Sequence, residues 1–143
     1  MKFRAILLSV FAVAFMFAFS KISYACSCEL PLSKDSIKKQ VKVAKKKSQA
    51  VFAGEVLEIT EPSGKNFLLV RIRIELNWKG AKGNEIMIVT GKGNGDCGYS
   101  FTVGQRYLVY AYQTSNSQLS TNICQRTALL SDAEKDIAIL ENR

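Results

Sequence analysis

The four cysteines of this chain, and the leader that precedes them, restrict its fold more than any other feature. In the 143-residue sequence, a short basic region (Lys2 and Arg4) precedes an apolar run over residues 5–19, and a small residue, Ala25, ends the leader. This is the pattern of a secretory signal peptide. We therefore predict a signal peptide over the first 25 residues, cleaved after Ala25, and one domain over residues 26–143.

The leader also predicts where the protein acts. Its apolar run is shorter than the roughly 20 residues that a membrane-spanning helix needs, so we expect no membrane span after cleavage. The expected location is secreted, either extracellular or periplasmic. Two alternatives stay open, namely an uncleaved N-terminal anchor and lipidation of Cys26. Ser23 is a poor match to the leucine usually found three residues before a lipidated cysteine.

All four cysteines fall in the predicted mature domain, and export favours disulfides over free thiols or a metal site. They are Cys26, Cys28, Cys97 and Cys124. A bond between Cys26 and Cys28 would close a small strained ring, so we expect each to reach one distant cysteine. Residues i and i+2 of an extended segment point to the same side, so the pair would staple one short strand to two neighbouring segments. A zinc site of four thiolates is the alternative, although the spacing differs from usual zinc motifs.

The absence of histidine excludes several kinds of active site. The chain has no His, so it cannot form a Ser-His-Asp or Cys-His nucleophile pair or a zinc site with histidine ligands. Its carboxylates are scattered without a paired constellation, and the glycine-rich segment 91–98 lacks the Gly-Lys-Ser/Thr ending of a phosphate-binding loop. We therefore expect a protein that is not an enzyme and that uses no cofactor and no metal ion of its own.

Hydrophobic periodicity predicts a small barrel with a helix on either side in sequence. A helix is expected over residues 33–47 with Ser33 as N-cap, and a capping box over residues 131–134 should open a second helix. The strands predicted between them cover residues 50–60, 67–78, 85–90, 105–112 and 119–124. Strands that follow one another without helices favour a mainly antiparallel sheet, and a small sheet of this length closes into a barrel. Gly54 indicates a bulge or bend in the first strand.

The same patterns predict which side chains enter the core. In the second strand the alternating apolar residues should face inward, and charged residues should face water; the apolar set is Val70, Ile72, Ile74 and Leu76. In the last helix one face should carry Ala133, Ile137 and Leu140. Trp78 and most of the tyrosines of the fourth strand are expected to be packing residues, because large aromatic side chains contribute most to cores.

The first predicted helix is rich in lysine. Lys38, Lys39, Lys42 and Lys46 lie opposite a narrow apolar stripe of Ile37, Val41 and Ala44. One interpretation is an ordinary solvated helix face. The other is a surface for an anionic partner, such as a membrane surface or a glycan. Because no aromatic residue alternates with the lysines, we expect no nucleic-acid partner.

Several short motifs, taken in order, resemble one known family. They are Cys26-Ser27-Cys28 directly after the predicted cleavage, Val51-Phe52-x-Gly54-x-Val56, Cys97-Gly98 followed by Phe101-x-x-Gly104, Tyr107-Leu108-Val109, and Cys124. Together they resemble the netrin-like domain, and in particular the N-terminal domain of tissue inhibitors of metalloproteinases. The resemblance covers nearly all of residues 26–143. It implies a five-stranded OB-fold-like barrel with an N-terminal and a C-terminal helix, and the pairings Cys26–Cys97 and Cys28–Cys124.

The resemblance also implies a function. In that family the α-amino nitrogen and the carbonyl oxygen of the N-terminal cysteine chelate the catalytic zinc of a metalloproteinase. Carried over by position, Cys26 would be the chelator and Ser27 would enter the first specificity pocket of the protease. Further contacts would come from Cys28, Glu29 and Leu30 along the cleft and from Gly95 and Asp96 beside it. The alternative is a secreted or cell-envelope netrin-like binding module that inhibits no protease, as many such domains are.

Overall fold

A computed structural model describes residues 26–28, 35–93 and 95–142. Its helices are α1 (Ile37–Lys47) and α2 (Glu134–Glu141), with a 3-10 turn at Leu130–Asp132. Its strands are β1 (Ala50–Thr60), β2 (Leu68–Lys79), β3 (Glu85–Thr90), β4 (Arg106–Gln113), β5 (Leu119–Ser120) and β6 (Ala128–Leu129). The predicted signal peptide, Glu29, Leu30 and Ser33 lie outside the described residues. Neither described helix is long and apolar enough to cross a bilayer.

Five of the strands close into a barrel in the order β1-β2-β3-β5-β4, and β4 pairs again with β1. The β3–β5 pairing, Val89 opposite Ser120, is parallel, and the other pairings are antiparallel. The short strand β6 extends the sheet at β4, where Ala128 lies opposite Leu108. The predicted five-stranded OB-fold-like barrel with two flanking helices is confirmed, and so is its mainly antiparallel pairing.

The continuous apolar runs of β1 and β4 arise because these strands are covered on both faces. One set of side chains, including Phe52 and Val109, fills the barrel interior. The alternate set, including Val51 and Tyr110, packs under the two helices. Val41 and Leu140 bring α1 and α2 onto that outer layer, where both are almost fully buried. A strand buried on both faces reads as a continuous apolar run, as these two do.

The inward set predicted for β2 is correct except at its last member. Val70 and Ile72 are fully buried, and Ile74 packs against the same interior cluster. Leu76, by contrast, is 43% exposed. The pairing of β2 with β3 ends at Arg73 opposite Glu85, so the last residues of β2 project beyond β3 and have less cover. On the outer face Arg71 donates to Glu58 at 2.9 Å, and Arg73, Arg106 and their carboxylate partners form similar pairs.

Both predicted helix starts are wrong. α1 begins at Ile37, because Ser36 rather than Ser33 is its N-cap and accepts a hydrogen bond from the Lys39 amide at 3.4 Å. Ile37, placed in the buried stripe by the sequence, is 41% exposed at this end of the helix. The capping box over residues 131–134 does not form either. Ser131 Oγ bonds the Asp132 carboxylate instead of a backbone amide, and the chain makes the 3-10 turn before α2 begins.

The predicted last strand also ends early. β5 contains only Leu119 and Ser120, so Cys124 lies on the following loop rather than on a strand. The Asn122 side chain accepts the Cys124 amide at 3.0 Å, a local turn that replaces ladder pairing. β6 was not predicted. The remaining predicted strands agree with the structure within one residue at each end, and Ala133, Ile137 and Leu140 do share the packed face of α2.

Gly54 is needed where β1 bends. The register with β2 shifts between Ala53 and Gly54, as expected for a bulge. A Cβ added at Gly54 would lie 2.1 Å from the carbonyl oxygen of Arg73 and 2.9 Å from a methyl carbon of Ile72. The two strands therefore approach too closely for any side chain at this position.

We expect Gly54→Ala to lower the free energy of unfolding by about 3 kcal/mol or more, because the clash is with backbone that the ladder holds in place. The matched control is Gly64→Ala, in a turn where nothing lies within 4 Å of the added Cβ and φ is +70°. It should cost about 1 kcal/mol. Urea denaturation of both variants measures the difference, and equal losses would contradict the close approach.

Candidate functional site

Two disulfides hold residues 26–28, the N-terminal wedge, against the end of the barrel. Cys26 is bonded to Cys97 and Cys28 to Cys124, with Cα–Cα distances of 5.3 and 5.1 Å. The pairing implied by the family resemblance is thus confirmed. The two bonds lie side by side, since Cys26 Sγ is 3.8 Å from Cys124 Sγ. In the chain-entropy account, each long closure restricts the unfolded chain by about 4 to 5 kcal/mol.

The middle residue of the N-terminal wedge, Ser27, is exposed, while Cys26 and Cys28 are half-buried. The sulfurs of Cys26, Cys28 and Cys124 lie within 4.8 Å of one another. All are consumed in disulfides, so they offer no thiolate to a metal ion. The wedge therefore presents backbone atoms and one small hydroxyl side chain from a rigid support.

The glycine-rich loop that carries Cys97 is braced by Asp96. Its carboxylate accepts hydrogen bonds from the backbone N–H groups of Lys92 at 2.7 Å, Gly93 at 2.9 Å and Gly98 at 3.0 Å. These bonds, and above all the one from Gly98, hold the pKa of the Asp96 carboxyl below its ordinary value of 3.8, because they stabilise the charged form. Cys97 itself has a φ of +62°, a conformation that non-glycine residues rarely adopt. The hydrogen bonds to Asp96 fix the backbone on either side of Cys97 and so stabilise this positive φ.

The loop after β5 is tied both to β3 and to Cys97. The Thr121 amide donates to the Val89 carbonyl at 3.0 Å, and the Ile123 amide donates to the Cys97 carbonyl at 3.0 Å. Ile123 is 52% exposed, an apolar side chain in water beside the disulfides. The two disulfide-bearing loops thus form one hydrogen-bonded platform beneath the N-terminal wedge.

A buried polar cluster anchors the platform to the helices, and the sequence analysis missed it. Arg126, two residues after Cys124, donates to both carboxylate oxygens of Asp136, at 2.8 and 2.6 Å. The Tyr110 hydroxyl donates to the same carboxylate at 3.0 Å, and Arg126 also donates to Gln40 of α1 at 3.0 Å. Burial first, and the Asp136 carboxylate second, raises the pKa of Tyr110. One feature of the sequence could have indicated this cluster: Asp136 is a charged residue among the apolar residues that form the packed face of α2.

A surface cavity of about 360 Å³ lies over this cluster. Its lining includes Cys28, Cys124, Arg126, Asp132 and Asp136. Because Arg126 is already paired with Asp136, the charge that the lining leaves without an ion pair within the described residues is the carboxylate of Asp132. The cavity therefore offers no free cation to an anionic ligand.

The remaining predicted site residues fall in two places. Gly95 and Asp96 are exposed on the loop that is bonded to Cys26. Four of the six lysines of α1 form an exposed face around Val43, which we call the lysine face: Lys38, Lys39, Lys42 and Lys46. The structure thus brings Gly95 and Asp96 together with the N-terminal wedge, and it places the lysine face on a separate element.

Comparison of the sequence with models of known protein families and with curated proteins found no match. We therefore infer the function from the geometry of the site.

We expect the brace on the glycine-rich loop to release in acid. Because the folded pKa of Asp96 is below 3.8, its stabilisation is complete above about pH 4 and is lost as the pH falls through the lower folded value. In an NMR titration, the amide protons of Lys92, Gly93 and Gly98 should shift with one common midpoint below 3.8. Asp96→Asn should abolish that midpoint, whereas three separate midpoints would show that the carboxylate is not the shared acceptor.

We expect two substitutions in the buried polar cluster to differ in their effect on stability. Tyr110→Phe should cost about 1 kcal/mol of unfolding free energy, since the Asp136–Arg126 pair remains. Asp136→Ala should cost about 2 to 3 kcal/mol, because it leaves a half-buried guanidinium and a buried hydroxyl without their acceptor. Tyr112→Phe, on the same strand, is the matched control, because its hydroxyl has no hydrogen bond within the described residues. Urea denaturation that ranked Tyr110→Phe at or above Asp136→Ala would refute this ordering.

Proposed function

We propose that this protein is exported, cleaved after Ala25, and acts as an inhibitor of zinc metalloendopeptidases. The new α-amino nitrogen and the carbonyl oxygen of Cys26 bind the catalytic zinc of the protease. Inhibition follows because these two atoms displace the water that the metal would activate. The protein contributes no metal ion of its own and performs no reaction.

The observation that carries this proposal is the double anchoring of the N-terminal wedge. The first and third residues of the proposed mature chain are covalently held, and Ser27 protrudes between them. Chain ends normally fray, and ordering one on binding costs affinity. A terminus that is already rigid avoids that cost and can present two backbone atoms to a metal at a constant separation.

The chemistry of an α-amine suits this role. Catalytic zinc keeps an open coordination position for a further ligand. An α-amino group has a pKa of about 7.7 to 8.0, so near neutral pH a useful fraction already holds a free lone pair. A lysine amine, with a pKa near 10.4, would be protonated almost completely under the same conditions.

The surroundings of Cys26 supply candidate specificity contacts. In this proposal Ser27 enters the first pocket of the protease, and Glu29 and Leu30 continue along its cleft. Gly95 and Asp96 flank the wedge from the loop bonded to Cys26. Because the Asp96 carboxylate is engaged by three backbone amides, its part is to keep that loop in shape rather than to bind the protease directly.

The competing proposal is a netrin-like binding module that inhibits nothing. The exposed lysine face favours it, because that surface lies on α1 and needs no free N-terminus. The two proposals differ in one measurable property, which is the dependence of activity on the Cys26 amine.

The test compares the mature protein, which begins at Cys26, with a variant that carries one additional alanine before Cys26. The extension converts the amine to an amide and should raise the inhibition constant by at least about a thousandfold, because a metal ligand is lost. Mass spectrometry must first show that both forms hold two disulfides. Inhibition is then measured against a panel of zinc endopeptidases, with Ser27→Ala as the matched control that keeps the amine and changes only the pocket contact.

The pH dependence gives an independent check. Below the pKa of the α-amine, inhibition should weaken about tenfold for each pH unit, because only the neutral amine can bind zinc. A small hydroxamate inhibitor measured in parallel corrects for titration of the protease. Undiminished inhibition by the extended form, or no inhibition across the panel at micromolar concentration, would end this proposal.

A further inference from the structure

The positive charge of the predicted mature chain is concentrated on one helix. Residues 26–143 hold 17 of the 20 basic residues and all 12 acidic ones. Six of those basic residues are lysines of α1, which contains no acidic residue. The rest of residues 26–143 therefore carries a net charge of −1, although the whole segment carries +5. A charge distribution of this kind creates a strong local positive potential rather than a diffuse one.

Ion pairing makes this asymmetry sharper. Each arginine among the described residues is paired with a carboxylate. Among the six lysines of α1, by contrast, Lys39 alone has a carboxylate within 4 Å in the described part of the chain, namely that of Asp35. The arginines of the barrel are thus neutralised by neighbouring carboxylates, whereas most of the lysines of α1 have no carboxylate partner within the described residues.

The lysine face is held as a rigid row. Val41 is buried against the barrel layer, and the Lys79 ammonium donates to the carbonyl oxygen of Lys45 at 3.0 Å and to two neighbouring carbonyls at the C-terminal end of α1. Lys38, Lys42 and Lys46 are four residues apart, so they follow one line along the exposed side, about 6 Å between neighbours. Val43, 41% exposed, lies beside this line.

The composition of the face indicates what kind of anion it suits. It has no aromatic ring on which a sugar or a base could stack, no amide side chain and no arginine fork for a single phosphate. It offers several ammonium groups and one exposed apolar side chain, which is the chemistry of attraction to a lipid surface. We propose that the lysine face binds the surface of an anionic phospholipid bilayer, with Val43 inserted between the headgroups. This inference is independent of the proposed protease inhibition, because the lysine face contains no residue of the N-terminal wedge.

The test measures binding of the disulfide-bonded protein to vesicles of phosphatidylglycerol and phosphatidylcholine at low salt. Each lysine near such a surface contributes about fivefold in affinity, so Lys38→Gln, Lys42→Gln and Lys46→Gln together should weaken binding roughly a hundredfold. The matched control replaces three exposed lysines elsewhere: Lys65→Gln, Lys82→Gln and Lys135→Gln. It removes the same net charge and should weaken binding by less than about fivefold.

A second variant separates lipid from soluble polyanions. Val43→Ser should weaken vesicle binding several-fold and leave binding to heparin or polyphosphate unchanged, because only a bilayer accepts an apolar side chain. Equal losses in the two triple variants would show that net charge alone acts and would overturn the proposal. So would binding to heparin, polyphosphate or DNA without binding to anionic vesicles, or vesicle binding that persists in 1 M salt, where charges are screened within about 3 Å.

Discussion

The barrel closes because β1 can pair with two neighbours at once. Its first half bonds to β4 while the strand pairs along most of its length with β2. A strand that serves both partners must bend, and its register with β2 shifts at three places, one of them beside Gly54. The absence of a side chain at Gly54 lets the backbone of Arg73 approach there. The two helices then cover the apolar side chains that β1 and β4 project from the outer surface of the barrel.

Closure also determines where the candidate site can form. β3 and β5 are parallel neighbours, so the loops that follow them begin at the same edge of the barrel. Those two loops carry Cys97 and Cys124, which lie 27 positions apart in sequence but are separated in space by only a short distance. Two cysteines with a single residue between them, Cys26 and Cys28, can therefore each reach one of the two loops. The position of the N-terminal wedge is therefore a consequence of strand order.

The strand bounds, the cysteine pairing and the bulge in β1 could be predicted, because each has a signal in the sequence. Strands β1, β3 and β4 have long apolar runs or alternation, so their bounds were predicted within one residue. The cysteine pairing followed from the family resemblance, because chain spacing alone left two possibilities. The bulge at Gly54 had a visible signal, since glycine inside a strand usually marks such a place.

The rest depended on contacts between distant segments. The two-residue strand β6 exists because β4 offers an open edge, and two residues carry no periodicity. Ser36 caps α1 although Ser33 and Ser36 are chemically equivalent candidates. The carboxylate of Asp136 is buried because Arg126 and Tyr110 meet it from other elements, which no local pattern reveals. For β6 and Asp136, the residues that pair with them lie far away in the sequence. For the N-cap of α1, the sequence offers two equivalent serines and no local signal that selects one of them.

The order of the cysteines along the chain has a consequence for biosynthesis. In an exported chain, Cys26 and Cys28 cross the membrane first, whereas their partners follow 71 and 96 residues later. Neither native bond can form until most of the polypeptide has emerged. During that interval each early cysteine has only the other as an intramolecular partner, and that bond is strained. Under the proposed export, oxidative maturation is therefore a late event, which begins once Cys97 has followed β3 across the membrane and ends once Cys124 has followed β5.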